Sequence, residues 1–245
     1  MVMHAICLCD NHAQDQWAEL YISLARSLSD GYGVEGRGAV REAIRIFATQ
    51  AARERKVELL KIGCKTNLLT LFEAGFGFPC GDRCIKEWIR HTEQELFLNV
   101  ITCPYAERWG GEDRELGRMF CEEYYPALVH EGTSAKAQIN LGYCLLNGRD
   151  DSCRLSLYLR PANVPAEKRA ECFPDFDLEH DADGSVPPYK PDFEKQKEVL
   201  LHAFLFAAKS RIGTDCAQTV VHAAATCAKN QKDESLMRIL EAFQK

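Results

Sequence analysis

The segment Ile101-Thr102-Cys103-Pro104-Tyr105-Ala106-Glu107 holds the residue types best suited to chemistry. The spacing predicts a strand that delivers Cys103 and a helical turn that begins at Pro104. Proline suits the first helical position, where its missing N–H is an orphan anyway. Cys103 then occupies the cap, with unpaired backbone N–H groups and the positive end of a helix turned toward its sulfur. Such a setting lowers a thiol pKa and supplies a thiolate at neutral pH. Glu107, one turn on, is placed to act as a general acid or base beside it. The same residues also fit a plainer reading, in which Cys103 is a small buried hydrophobe at a strand end.

Other candidates are weaker. On a helix the stripe Leu116–Phe120–Tyr124 faces the core and leaves Cys121 and Glu122 at its edge, although the adjacent acids Glu122 and Glu123 also read as a solvated face. Cys153 shares the apolar parity of Leu155 and Leu157, and read alone it is a core residue. Cys144 has the opposite parity to Tyr143 and Leu145, which predicts that it points to the other side of a sheet. Cys80 and Cys84 have the gap of half a zinc site, but no second close pair follows. Cys7 and Cys9, with His4 and His12, are too closely spaced. No cofactor is assigned, and zinc through cysteines stays open. The remaining histidines, at 91, 130, 180, 202 and 222, are isolated from one another. His222, with Cys216 and Cys227 on an apolar helix, reads as a core histidine, and His130 ends a helix, where a cation suits the dipole.

The elements that must position these residues follow from apolar spacing. Trp17, Leu20, Tyr21, Leu24 and Leu28 predict a helix over 14–28, stopped by Gly31 and Gly33. Val40, Ile44, Phe47 and Ala51 predict a second over 38–62. Asn67 caps a short helix over 68–74, and 75–84 reads as a loop. A strand over 95–103 and a helix over 113–130 follow, with Pro126 expected to bend or shorten the helix. Alternation in Ile139–Leu145 and Cys153–Leu159 around Asn147-Gly148 predicts a hairpin. The stretch 161–191 carries six prolines and an acidic run, Asp175, Asp177, Glu179, Asp181 and Asp183, and reads as an irregular surface connection. Helices resume over 194–244, broken near Gly213 and Asn230. The expectation is an α+β fold: N-terminal helices, a small antiparallel sheet with a hairpin on its C-terminal side, and further C-terminal helices. It divides as 1–160, an irregular linker over 161–193, and a helical extension over 194–245.

Composition narrows the function classes. The net charge of −6, with Lys and Arg interleaved with Glu, argues against a nucleic-acid partner. No run approaches the ~18 apolar residues of a membrane span. The first ten residues lack the basic flank and long apolar stretch of a secretory signal. A cytoplasmic, reducing setting is therefore expected, with the twelve cysteines as thiols.

In order and spacing, Thr102-Cys103-Pro104-Tyr105, Glu107, Leu116-Gly117, Cys121 and the hairpin closing in Cys153 resemble the L-2-amino-thiazoline-4-carboxylic acid hydrolase family, over about half of the chain, 38–160. The resemblance implies hydrolytic opening of a small heterocycle or an amidine-like C–N bond. Cys103 would be the nucleophile and Glu107 the proton carrier. Tyr105, Arg118, Cys121, Glu122 and Cys153 would bind the small-molecule substrate. Thr102 stands where the family often carries a basic residue, and Leu155 where it often carries an aromatic, so the substrate itself is left open. The layout also resembles vinyl-4-reductase-type modules, which bind small molecules without turning them over. The helices beyond Pro191 have no counterpart in the family and are available for a homo-oligomeric interface.

Overall fold

The computed structural model describes residues 10–73, 83–177, 186 and 191–243. They form an α+β protein of eight helices and one four-stranded antiparallel sheet among the described residues. Two compact units interleave along the sequence. One takes the described residues of Ala48–Cys103 and Tyr124–Lys190, the other those of Asp10–Phe47, Pro104–Glu123 and Pro191–Lys245.

The second of these units is helical. The run α1 (Asn11–Lys61) starts at a cap: Asp10 Oδ1 accepts the N–H groups of His12 and Ala13 at 2.9 and 3.2 Å. It is two helices, because Gly33 takes φ 54° and ψ −123°, a conformation that glycine alone adopts cheaply. A Cβ at Gly36 would lie 1.9 Å from the Leu28 carbonyl oxygen. Eight residues of continuous helix would separate those atoms by roughly 12 Å, so the chain doubles back into a helical hairpin. Trp17, Leu20, Tyr21, Leu24 and Leu28 are all buried on its inner face, as their spacing predicts.

The other helices of this unit are α3 (Pro104–Trp109), the first half of α4 (Arg114–Thr133), and α6 (Phe193–Arg211), α7 (Cys216–Gln231) and α8 (Glu234–Phe243). The breaks between the last three fall at Gly213 and at Lys232, which takes φ 52°. An aromatic cluster fills the core. Trp17 packs against Phe47, Tyr105 and Phe120 with ring centroids 5.6 to 5.7 Å apart, and Tyr21 lies 4.9 Å from both Trp109 and Phe120. Such pairs add about 0.5–1.5 kcal/mol each beyond the area they bury. The Tyr21 hydroxyl donates to the Leu116 carbonyl at 2.7 Å, and Trp109 Nε1 to Ala18 O at 3.1 Å, so these two polar tips are satisfied, whereas the buried Trp17 Nε1 makes no hydrogen bond among the described residues.

The first unit carries the sheet, in the order β1 (Lys86–His91), β2 (Glu95–Val100), β4 (Cys153–Tyr158), β3 (Gln138–Leu141). The expected hairpin is present: Ile139 faces Leu157 and Leu141 faces Leu155. On its other edge β4 sets Leu155 and Leu157 opposite Leu98 and Leu96, four leucines that line one buried face. β1 was not expected from the sequence. It is an edge strand with alternating half-exposed and exposed residues and a bulge between Trp88 and Arg90, so it offers no apolar parity to read. The short helix α2 (Leu68–Glu73) is capped by Asn67, whose Oδ1 accepts the Thr70 N–H.

Two expectations change. α4 runs through Pro126 to Thr133 without stopping, the proline lying on its exposed side. Residues 161–177 are not a bare surface strip. They fold into short 3₁₀ turns and α5 (Arg169–Cys172), and bury Val164, Cys172 and Phe173. Lys56 and Lys168 hold Glu171 at 3.1 and 2.5 Å, and Asn67 Nδ2 donates to Cys172 O. Most of 178–190, with Glu179, His180, Asp181 and Asp183, lies outside the described residues. No helix is long and apolar enough to cross a membrane among the described residues.

Candidate functional site

Antiparallel pairing puts one end of the sheet to unusual use. β1 begins, β2 ends, β4 begins and β3 ends there, and each carries a cysteine at or just beyond its terminus: Cys84, Cys103, Cys153 and Cys144. Cys153 faces Val100, three residues before Cys103. The β1 side is fixed by Thr102, whose Oγ1 donates to Arg83 O at 2.8 Å and accepts the Ile85 N–H at 2.9 Å. Thr102 therefore serves as the clasp that holds the start of β1 to the end of β2, a structural duty that a basic side chain would not perform.

Cys103 is half-buried and stands directly before Pro104, where α3 starts as predicted; the strand expected over 95–103 ends earlier, at Val100, because Thr102 turns aside to bond Arg83 O and the Ile85 N–H. Cys153 is also half-buried, and its sulfur accepts the Leu145 N–H at 3.2 Å. A backbone donor on sulfur favours the charged form of a thiol.

Beyond β3, Gly142 donates to Arg154 O at 3.0 Å while Arg154 donates to Tyr143 O at 3.0 Å. Two residues of one strand thus oppose one of the other, which is a β-bulge. The extra residue shifts the register, so that the next pair across the strands is Cys144 and Cys153. Cys144 was expected on the other side of the sheet, and the bulge overturns that parity. The loop beyond is tied by Asp150, which accepts the Cys144 N–H at 2.9 Å and Asn147 Nδ2 at 2.7 Å, with Gly148 in the left-handed region at φ 70°.

The remaining predicted site residues belong to the helical unit. Tyr105 is buried in the aromatic cluster, its ring 5.2 Å from that of Trp109. Glu107 is exposed on α3. Arg118 and Glu122 meet as an i,i+4 ion pair at 2.7 Å. Cys121 is half-buried next to them on α4; burial raises the Tyr21 hydroxyl pKa well above its ordinary value, and negative charge on the Cys121 sulfur raises it further. Glu123, which was read only as a neighbour of Glu122, accepts both Arg41 at 2.5 Å and Arg45 at 2.9 Å.

The other cysteines are quiet by comparison. Burial raises the thiols of Cys64, Cys172 and Cys216, and pushes Cys227 up to about 11. No disulfide joins two described residues, and no group of three or more His, Cys, Asp or Glu is arranged to hold a metal among them. Of the suggested zinc pair, Cys80 lies outside the described residues, as do Cys7, Cys9 and His4. His222 is exposed, not a core residue, because α7 turns Val220, Ala224 and Cys227 inward instead.

Sequence reading missed one constellation. Lys197, on α6, is almost fully buried and donates to Gln16 Oε1 at 3.0 Å, Asp233 Oδ2 at 2.5 Å and Ser235 Oγ at 3.0 Å. All three ammonium protons are used. Asp233 also caps α8, accepting the Leu236 N–H at 3.1 Å. Burial alone would raise the Asp233 carboxyl pKa, but Lys197, Ser235 and the Leu236 N–H together hold it below the ordinary value. The signal was present: Lys197 falls on the buried stripe Phe193, Leu200, Leu201 and Phe204, where an unpaired lysine would be intolerable.

No protein-family model, curated protein or solved structure matches this chain.

Proposed function

We propose that this chain is a hydrolase that opens a small heterocycle or cleaves an amidine-like C–N bond, with the Cys103 thiolate as nucleophile. The observation that carries the reading is the junction itself. A half-exposed cysteine leaves the end of a sheet and meets a proline-started helical turn, at the sheet end that also holds Cys153. The order of Cys103-Pro104-Tyr105, Glu107, Cys121 and Cys153, resembling the 2-amino-thiazoline-4-carboxylate hydrolases, supports the same assignment.

In this scheme the sulfur lone pair attacks an sp² carbon flanked by nitrogen, and a C–S bond forms. The C–N bond then breaks, its electron pair goes to nitrogen, and Glu107 supplies the proton that neutralises it. Water adds to the thioester-like carbon, the C–S bond breaks, and the thiolate returns. A small-molecule substrate in a reducing, cytoplasmic setting fits this chemistry, since the nucleophile must stay a thiol.

The test uses 2-amino-thiazoline-4-carboxylate as the probe, with its consumption followed by chromatography. The wild type should consume it and Cys103→Ser should not, while Glu107→Gln should slow turnover by roughly 10²-fold or more without loss of folding. Full turnover by Cys103→Ala would overturn the reading. Unchanged affinity for the probe in wild type and Cys103→Ser, with no turnover by either, would favour a binding module instead.

A further inference from the structure

The re-phasing at Gly142–Tyr143 creates a second thiol feature that goes beyond the proposed hydrolysis. We propose that Cys144 and Cys153 are a reversible dithiol–disulfide pair, closed by peroxide and reopened by thiol reductants.

The geometry comes from the hydrogen bonds on either side. Arg154 bonds to Gly142 and Tyr143 across the bulge, so the next pair outward is of the kind that exchanges no backbone hydrogen bonds. The surroundings agree. The Cys144 N–H goes to Asp150 and its carbonyl accepts the Asn147 N–H at 2.8 Å, so neither is spent on Cys153. Cys144 is extended, with φ −147° and ψ 124°. Such a pair has Cα atoms about 4.5 Å apart and side chains on one face, inside the range of about 4.4–6.8 Å that a disulfide spans. Leu145 confirms the closeness, since its N–H reaches the Cys153 sulfur at 3.2 Å.

The same contact distinguishes the two thiols. A backbone N–H supports a thiolate on Cys153, which makes it the sulfur that attacks peroxide. An S–O bond forms, the O–O bond breaks, and the departing hydroxide takes a proton and leaves as water. The Cys144 sulfur then displaces the hydroxyl from the Cys153 sulfenic acid. The S–S bond forms, the S–O bond breaks, and the hydroxyl leaves as a second water with the Cys144 proton. Two electrons pass from the pair of sulfurs to the peroxide. The closed loop is short, so the bond gains little from chain entropy and stays open to reduction. Both residues are half-buried, which leaves a small oxidant access.

Trypsin separates the two cysteines, because Arg149 lies between them and Lys136 and Arg154 flank them. The native protein is treated with hydrogen peroxide, remaining thiols are alkylated, and the digest is mapped by mass. The expected result is peptide 137–149 joined to peptide 150–154, with the loss of two hydrogens, reversed by dithiothreitol. In Cys144→Ser, Cys153 should stop at a sulfenic acid that dimedone traps. Cys144 and Cys153 both alkylated after oxidation, or Cys153 found joined to Cys84 or Cys103, would overturn the proposal. The wild-type map stands even where a variant fails to fold, and its readout does not depend on turnover.

Discussion

Lys197→Met removes the only buried ammonium in the helical core among the described residues and leaves the Asp233 carboxylate behind, both side chains being no more than 3% exposed. Breaking one side of a buried pair costs about 3–5 kcal/mol. Asp233 keeps the Ser235 hydroxyl and the Leu236 N–H, so the lower figure applies, about 3 kcal/mol. Adding Asp233→Asn removes the stranded charge while keeping an oxygen for the cap. The double variant should then recover about 1.5 kcal/mol, a coupling of the size that neighbours in one network show. Urea unfolding followed by tryptophan fluorescence reads this in a Trp88→Phe background. That change leaves Trp17 and Trp109, both in the unit that holds Lys197. The pH dependence gives a second check. Because the folded Asp233 is held below its ordinary pKa, the stability it contributes is present above about pH 4 and is lost as pH falls through the folded value. The deficit of Lys197→Met should therefore shrink below pH 4. A cost under about 1 kcal/mol at pH 7, or a deficit unchanged between pH 7 and pH 3, would refute the account of this network.

Three further outcomes follow from the packing. Gly36→Ala forces a methyl onto the Leu28 carbonyl and should destabilise by about 3 kcal/mol or more, whereas Gly38→Ala meets only the movable end of Arg211 and should cost under about 1 kcal/mol; equal urea midpoints for the two would contradict the hairpin. Tyr21→Phe deletes the hydroxyl that donates to Leu116 O and should cost about 1–2 kcal/mol by the same assay, with no loss meaning that the bond is not made in solution. Burial lowers the pKa of His91, whose ring stacks on Trp88 at 4.3 Å, so its stability contribution is present above about pH 6.5 and is lost as pH falls; His91→Gln should lose less stability than wild type between pH 7 and pH 5, and an identical loss would refute the assignment.

Much of this fold is written in apolar spacing. Trp17 to Leu28 marks the first arm of α1, and the alternation of Ile139, Leu141, Leu155 and Leu157 marks the hairpin, because each side chain meets a partner at its own period. What escaped depends on partners far away in sequence. β1 has no inward apolar face, so only its pairing with β2 defines it. Cys172 and Phe173 are buried because Lys56, Asn67 and Thr133 receive that segment, and no local pattern around Pro161–Phe176 announces it. Cys144 was assigned to the wrong face because a single bulged residue inverts parity, and the bulge is set by Arg154 across the sheet. At the candidate site, the helix start at Pro104 directly after Cys103 was legible, and so was the strand before it, except that β2 ends at Val100 and not at Cys103. The gathering of four cysteines at one sheet end was not, since it needs the strand order.

The reactivity of Cys103 tests the central claim most directly, and it needs no known substrate. Native protein is pulsed with iodoacetamide from pH 8 to pH 6, denatured in a second isotopic label, and the modification at each cysteine is read by mass. The account predicts that the Cys103 rate stays within about twofold over this range, while an ordinary thiol slows roughly tenfold per pH unit below its pKa and Cys172 and Cys227, raised by burial, scarcely react. A Cys103 rate that falls with the ordinary slope, parallel to that of the denatured protein, would contradict it.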